Sequence, residues 1–292
     1  MRTVAERLDS ERREHGALGP LHGIPILLKD NIDTGDRMHT SADSVALAEH
    51  FAPKDSAVAA QLRAAGCVFL GKANMTEWAN FMSGTMWAGY SSRGGLTLNP
   101  YGPGELFVGG SSSGSGAAVA ANLRAAAIGT ETSGSIISPS SQNGIVGIKP
   151  TIGLVSRTGI IPITHSQDSA SPMTRTVRDA AILLGAMTAA DPEDAAMLEN
   201  RRIAYTDYTP FLDANGLQGA RIGVPRYYYR GLDKARAVII ERAITLCKVR
   251  GAIVVDPVSL PCESARVREC EVGLGRDAVR IQKRTERLSR QS

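Results

Sequence analysis

Aromatic side chains make up only 5% of this 292-residue chain, which holds just four cysteines and five histidines. The cysteines, Cys67, Cys247, Cys262 and Cys270, have no CxxC spacing, and the histidines are scattered. Neither a metal site nor a disulfide framework is expected. A reduced, cytoplasmic setting is the default for such cysteine usage. No apolar run reaches the length of a membrane span, so no membrane association is expected. The opening MRTVAERLDSERREHG is charged and has no apolar core of the kind a secretory signal needs, so none is expected there.

A basic face is lacking too. The formal net charge is +4, but from Arg266 onward eight Lys/Arg stand against four Asp/Glu, a balance of +4 that accounts for the whole excess. The rest of the chain is neutral and offers no footprint for nucleic acid. A charged tail of this kind is ordinarily solvated.

What is present is 43% hydrophobic residues, much alanine and 30 glycines, which points to a sizeable core of small, closely packed aliphatics. Residues 2–14 carry Val4 and Leu8 one helical turn apart, as in a short surface helix. Ile24, Ile26, Leu27 and Leu28 read as a buried strand ending at Lys29. Ser56 caps an expected helix over 57–65, with Gly66 at its end, and CVFLGK follows as a strand. Strand, helix, strand argues for α/β architecture. Residues 74–81 suggest another helix start, and ELFV a short strand running into glycines. Thr176, with Asp179 three residues on, caps a clear helix that stops by Asp191-Pro192. ARIGVPR reads as a strand, 236–251 as an amphipathic helix stopped by Gly251, and AIVVD as a strand. No internal repeat is found.

The stretch 109–135, GGSSSGSGAAVAANLRAAAIGTETSGS, places an alanine-rich segment between two Gly/Ser turns. Three chemistries compete for it. Phosphate binding lacks the G-K-[ST] ending and the GxGxxG spacing. A nucleophile elbow at GSSSG, with Ser112 central, has only His165 after it and only Glu131 as an intervening acid, too little chain for that fold. A serine hydrolase without histidine needs a hydroxyl and a lysine whose amine is neutral, a state that burial favours. Lys29, at the end of an apolar strand, is the right kind of lysine, although a strand-end lysine ordinarily reaches solvent. Composition alone does not choose among the three.

Six ordered blocks do: GPLHGIPILLKDNI (19–32), GKANMTEWANF (71–81), GGSSSGSGAAVAA (109–121), GTETSGSI (129–136), GIVGIKPT (144–151) and TRTVRDAA (174–181). Together they resemble the amidase signature family over roughly residues 17–190. SSRGG (91–95), GTETSGS and GLVSRTGIIPI (153–163) look most like its peptide-amidase-like branch. The branch that supplies the glutaminase-like subunit of tRNA-dependent amidotransferases is less similar. The resemblance implies a mixed central β-sheet flanked by helices, with the C-terminal part of that fold missing. It implies a carboxamide hydrolase in which Ser135 forms the acyl-enzyme, Ser111, after an unusual cis peptide, relays the proton, and Lys29 is the base. Backbone N–H groups of Thr132, Ser133, Gly134 and Ser135 would form the oxyanion hole. It implies no cofactor, a small-molecule or peptide amide as substrate, and leaves a homodimer open. The alternatives it carries are the glutaminase-like subunit of a glutamyl/aspartyl-tRNA amidotransferase, and an inactive truncated fragment.

Departures from the family pattern are Glu131 for Asp, Ser133 for Gly, Asp43 after Ala42 for Gly, and Ser171 for Gly. Ser112 and Ser113 read as turn hydroxyls, Asp168 and His165 as structural hydrogen-bonders, and Arg93 as a solvated arginine. The resemblance ends near residue 262. The expected organisation is therefore a partial amidase signature domain over 1–262 and an Arg-rich irregular tail over 263–292.

Overall fold

The computed structural model describes residues 2–200 and 204–259. The stretch 263–292, Cys262 and Cys270, and the boundary expected at residue 262 lie outside the described residues. The chain divides after Thr209 into two compact units.

The first unit is built on a five-stranded sheet. In chain order its elements are α1 (Arg2–His15), β1 (Pro25–Lys29), α2 (Ala57–Ala64), β2 (Val68–Ala73), the small hairpin strands β3 (Tyr90–Ser91) and β4 (Gly95–Leu96), α3 (Ser113–Ala120), β5 (Ala126–Glu131), α4 (Ile137–Gln142), β6 (Val146–Gly147), β7 (Ser169–Thr174), α5 (Val177–Ala186) and α6 (Ala195–Glu199). The sheet order is β2-β1-β5-β7-β6. β1 is parallel to β2 and β5, while β7 is antiparallel to β5 and β6. The sheet is thus mixed and flanked by helices, as expected from the sequence. The ends of β1 and β5 and the beginning of β7 consequently share one edge, with Glu131 opposite Ser169.

Local chemistry sets these elements. Ser56 Oγ accepts the Ala59 N–H at 3.1 Å and starts α2. Thr176 Oγ1 accepts the Asp179 N–H at 3.1 Å and starts α5. Val58 and Leu62 of α2, one turn apart, are buried against Ile26 and Leu28 of β1, Ile128 of β5 and Leu183 of α5. With few aromatics available, this core is aliphatic. The bulkiest fully buried side chain among the described residues is not a hydrocarbon at all but Lys29.

Three local expectations are corrected. Residues 74–81 do not begin an α-helix: Glu77–Asn80 form a short 3-10 turn in which Trp78 and Ala79 have φ of 49° and 55°. The Trp78 N–H is taken by the Ala42 carbonyl, which holds the turn to a distant loop. ELFV is irregular, with its backbone carbonyls at Phe107 and Val108 satisfied by Asn99 and Asn143 side chains in place of a ladder. The α5 helix ends at Ala186, before the Asp191-Pro192 stop.

The second unit holds β8 (Arg221–Gly223), α7 (Lys234–Val249) and β9 (Ile253–Val255), the two strands being parallel. Asp233 caps α7 through the Arg236 N–H at 2.9 Å, and Gly251 ends it with φ +85°. No helix among the described residues is long and apolar enough to cross a membrane.

Candidate functional site

β1 delivers Lys29 to the site. Ile26 and Leu28 face the core, and Lys29 follows at the strand end, itself 0% exposed. Its Nζ donates to Ser111 Oγ at 2.7 Å and to the Thr130 carbonyl at 3.1 Å. Burial pulls its pKa from 10.5 down to about 7, against the opposing pull of the Asp168 and Glu131 carboxylates. A substantial neutral fraction at ordinary pH follows.

Ser111 sits just ahead of α3, in the first Gly/Ser turn. The Gly110–Ser111 peptide bond is cis. Gly109 has φ +76°, and a Cβ there would fall 2.7 Å from the Pro139 backbone, so only glycine lets this turn pack on α4. The turn is tied to the sheet by Ser112, whose hydroxyl donates to the Thr130 carbonyl at 3.1 Å and accepts the Thr130 N–H at 3.2 Å. Ser113 Oγ donates to the Gly109 carbonyl at 2.7 Å. Both act as turn hydroxyls.

The second turn, 132–136, joins β5 to α4. The Ser112 N–H donates to the Ser135 carbonyl at 3.1 Å, which sets the two turns side by side. Ser135 is 8% exposed, Ser133 is exposed, and Gly134 is half-buried with φ +84°. Among the described residues, the backbone N–H groups of Thr132, Ser133, Gly134 and Ser135 donate to no protein acceptor. Consecutive free N–H groups on a turn are the chemistry of an anion cradle. The Thr132 hydroxyl is bonded to Asp168 Oδ1, and Asp168 Oδ2 accepts the N–H groups of Ile163 at 2.7 Å and Thr164 at 2.9 Å.

Ser111, Thr132 and Ser135 open onto one cavity of about 270 Å³; Ser133 and Gly134 do not line it. Ile160, Ile161, Pro162 and Ile163 give it an apolar wall, and Asn31, His165 and Asp168 give it polar edges. The structure thus joins Lys29 to Ser111 directly, and brings Ser135 to the same cavity without a hydrogen bond between the two serine hydroxyls. Such contacts commonly tighten only when substrate is bound.

Several residues at this site were not singled out from the sequence. Lys149, in the GIVGIKPT block, donates to the carbonyls of Gln167 at 2.7 Å and Glu131 at 3.3 Å, and to Ser169 Oγ at 3.0 Å. Asn31 Nδ2 donates to Thr130 Oγ1 at 3.1 Å. Arg157 is paired with Asp194 at 2.6 Å on the cavity wall. The last two lie within the quoted stretches 19–32 and 153–163, but what they bond to is far along the chain. Arg93, read as solvated, is exposed and does not line the cavity, and its guanidinium donates to Ser41 Oγ at 2.6 Å. A second lysine, the half-buried Lys72, has its pKa lowered to about 8 by desolvation, but it is spent on Thr40 Oγ1 at 2.9 Å and on the Ile32 carbonyl, outside the cavity. A depressed pKa alone therefore does not select the base. Among the described residues no group of three or more His, Cys, Asp or Glu side chains is placed to hold a metal ion.

A family model described as amidase matches residues 1–286. The native peptide amidase of Stenotrophomonas maltophilia superposes with a TM-score of 0.82 at 50% identity, over 91% of this chain and 54% of that one. A "Probable amidase" of Arabidopsis thaliana is 42% identical over 88% of this chain and 49% of its own length. A glutamyl-tRNA(Gln) amidotransferase subunit from Pseudomonas syringae is 42% identical over 89% of this chain and 51% of its own. The chain spans about half the length of the curated relatives it matches.

Proposed function

The chain belongs to the amidase signature family, and on that premise we propose that it hydrolyses a carboxamide through an acyl-enzyme on Ser135. The observation that carries the reading is the 2.7 Å hydrogen bond between a fully buried lysine and Ser111, which lines the same cavity as Ser135.

In this reading Ser135 Oγ attacks the amide carbonyl carbon. Its proton passes to Ser111 Oγ, and the Ser111 proton passes to neutral Lys29 Nζ. The carbonyl oxygen, now an oxyanion, accepts from the free N–H groups of the 132–135 turn, as electrostatic stabilisation of a tetrahedral intermediate requires. Collapse breaks the C–N bond, and the proton returns from Lys29 through Ser111 to the leaving nitrogen. Water then attacks the ester, with the same relay taking its proton and restoring Ser135. Each of these steps is carried by this chain's own side chains and backbone.

The cavity, about 270 Å³, is at the small end of ligand pockets, which run to about 1,000 Å³. With an apolar wall beside Ser135, it suits a small acyl group or the terminal residue of a peptide amide. The test is release of ammonia from a panel of amino-acid and peptide amides by the purified chain. Turnover that disappears in Ser135→Ala supports the reading; turnover that survives that substitution defeats it.

A second reading has its own observation, the 42% identity to a glutamyl-tRNA(Gln) amidotransferase subunit. It predicts hydrolysis of glutamine and delivery of ammonia to an acyl-tRNA only with partner subunits present. A chain that cleaves peptide amides alone and ignores glutamine excludes it.

A further inference from the structure

We propose that Glu131 is a positioning residue that clamps the 132–136 turn shut; its bearing on catalysis rests on the reading of that turn as nucleophile and oxyanion hole. β5 ends at Glu131 and α4 begins at Ile137, so this one short segment carries the chain out of the sheet and into a helix. The Glu131 carboxylate reaches across it. Oε2 accepts the Ile136 N–H at 2.6 Å and the Ile137 N–H at 2.9 Å. The first N–H groups of a helix have no acceptor within it, and Ile136 is 0% exposed, so water does not replace the carboxylate there. Two charge-assisted hydrogen bonds to one oxygen are stronger than neutral ones.

The other end of the same residue is fixed as well. The Glu131 carbonyl accepts from Lys149 Nζ at 3.3 Å and from Ser169 Oγ at 3.4 Å. One residue therefore holds the exit of β5 through its backbone and the entrance of α4 through its side chain. Between these two fixed points Gly134 takes φ +84° and the N–H groups of 132–135 stay unclaimed by the protein. A loop pinned at both ends holds those N–H groups in fixed positions, the preorganisation on which an oxyanion site depends.

Two readouts test this. Hydrogen exchange followed by mass spectrometry reports protection of the segment 132–138. The second-order rate of a fluorophosphonate probe reports the reactivity of Ser135. Glu131→Ala is expected to lose protection in that segment and to slow labelling at least 10-fold. Glu131→Gln, whose amide oxygen still accepts both N–H groups, is expected to stay within 3-fold of wild type on both readouts. Glu131→Asp, one methylene shorter, is expected to lose part of the protection, and serves if the alanine variant does not fold. Wild-type protection in both Glu131→Ala and Glu131→Asp overturns the clamp. Lost protection with an unchanged labelling rate overturns its positioning role. A wild-type chain that takes up no probe, yet shows the expected ranking of protection, leaves the clamp standing and defeats the amidase reading instead.

Discussion

Lys29 and Ser111, 82 residues apart in sequence, meet at 2.7 Å with side chains withdrawn from solvent. Among the described residues no carboxylate is bonded to this deeply placed lysine; its acceptors are a hydroxyl and the Thr130 carbonyl. Neutral acceptors do little to offset the cost of burying a charge, so the neutral amine is favoured.

Activity is expected to follow that amine. With the Lys29 pKa near 7, kcat/KM rises as pH increases through about 7 and levels off above it. Lys29→Met should lower kcat by roughly 10²–10⁴-fold, the usual worth of a general base. A pH–rate profile of wild type, with single-pH kinetics on the variant, checks both.

Stability carries the same signature with a definite sign. The folded-state pKa of Lys29 lies below its ordinary 10.5, so between about 7 and 10.5 the unfolded chain binds more protons than the folded one. Stability therefore rises with pH across that window, and the burial penalty is felt in full below it. Lys72, lowered to about 8, adds a limb of the same sign. Lys29→Met should flatten the rise without abolishing it, as denaturant midpoints at pH 7, 8.5 and 10 will show.

Ser171 offers a stabilising change. It lies on β7 opposite Gly129, is 0% exposed, and its hydroxyl has no hydrogen-bond partner among the described residues. Ser171→Ala removes a desolvated, unpaired group and should raise stability by about 1 kcal/mol. Thermal or urea unfolding measures it, with probe labelling of Ser135 expected to stay unchanged.

Asp194 is expected to be costly to lose. It accepts from the Arg157 backbone at 2.9 Å, from Arg157 Nε at 2.9 Å and from its Nη2 at 2.6 Å, and also caps α6 through the Ala196 N–H at 3.0 Å. Asp194→Ala leaves the arginine, 13% exposed, without its counter-charge. A loss of about 3 kcal/mol is expected, together with a higher KM because Arg157 and Asp194 both line the cavity wall. Unfolding curves and substrate saturation curves separate the two effects.

What the sequence could announce was local. An apolar run ending in a lysine and two Gly/Ser turns were visible because strand ends and turns carry their own residue signals, and Lys29, Ser111 and Ser135 are found at those features. β7, reading SASPMT, was invisible. It is buried along its whole length, so nothing alternates, and Pro172 in its middle argues against a strand. ELFV failed in the opposite direction: an apolar run looked like a strand, yet Leu106 and Phe107 are exposed. Lys149 and Asn31 join the site only through partners far along the chain. Asp43, noted only as a departure, proves to be a buried carboxylate accepting the Met75 N–H at 2.9 Å from a backbone with φ of 60°. Those relationships are tertiary and have no short-range signature.

The most direct test is to map, by peptide mass spectrometry, where a fluorophosphonate probe bonds to the purified chain. The relay predicts one adduct on Ser135, absent in Ser135→Ala and slowed at least 100-fold in both Ser111→Ala and Lys29→Met. An adduct on any other residue, or labelling of Ser135 at the wild-type rate in the lysine variant, contradicts it.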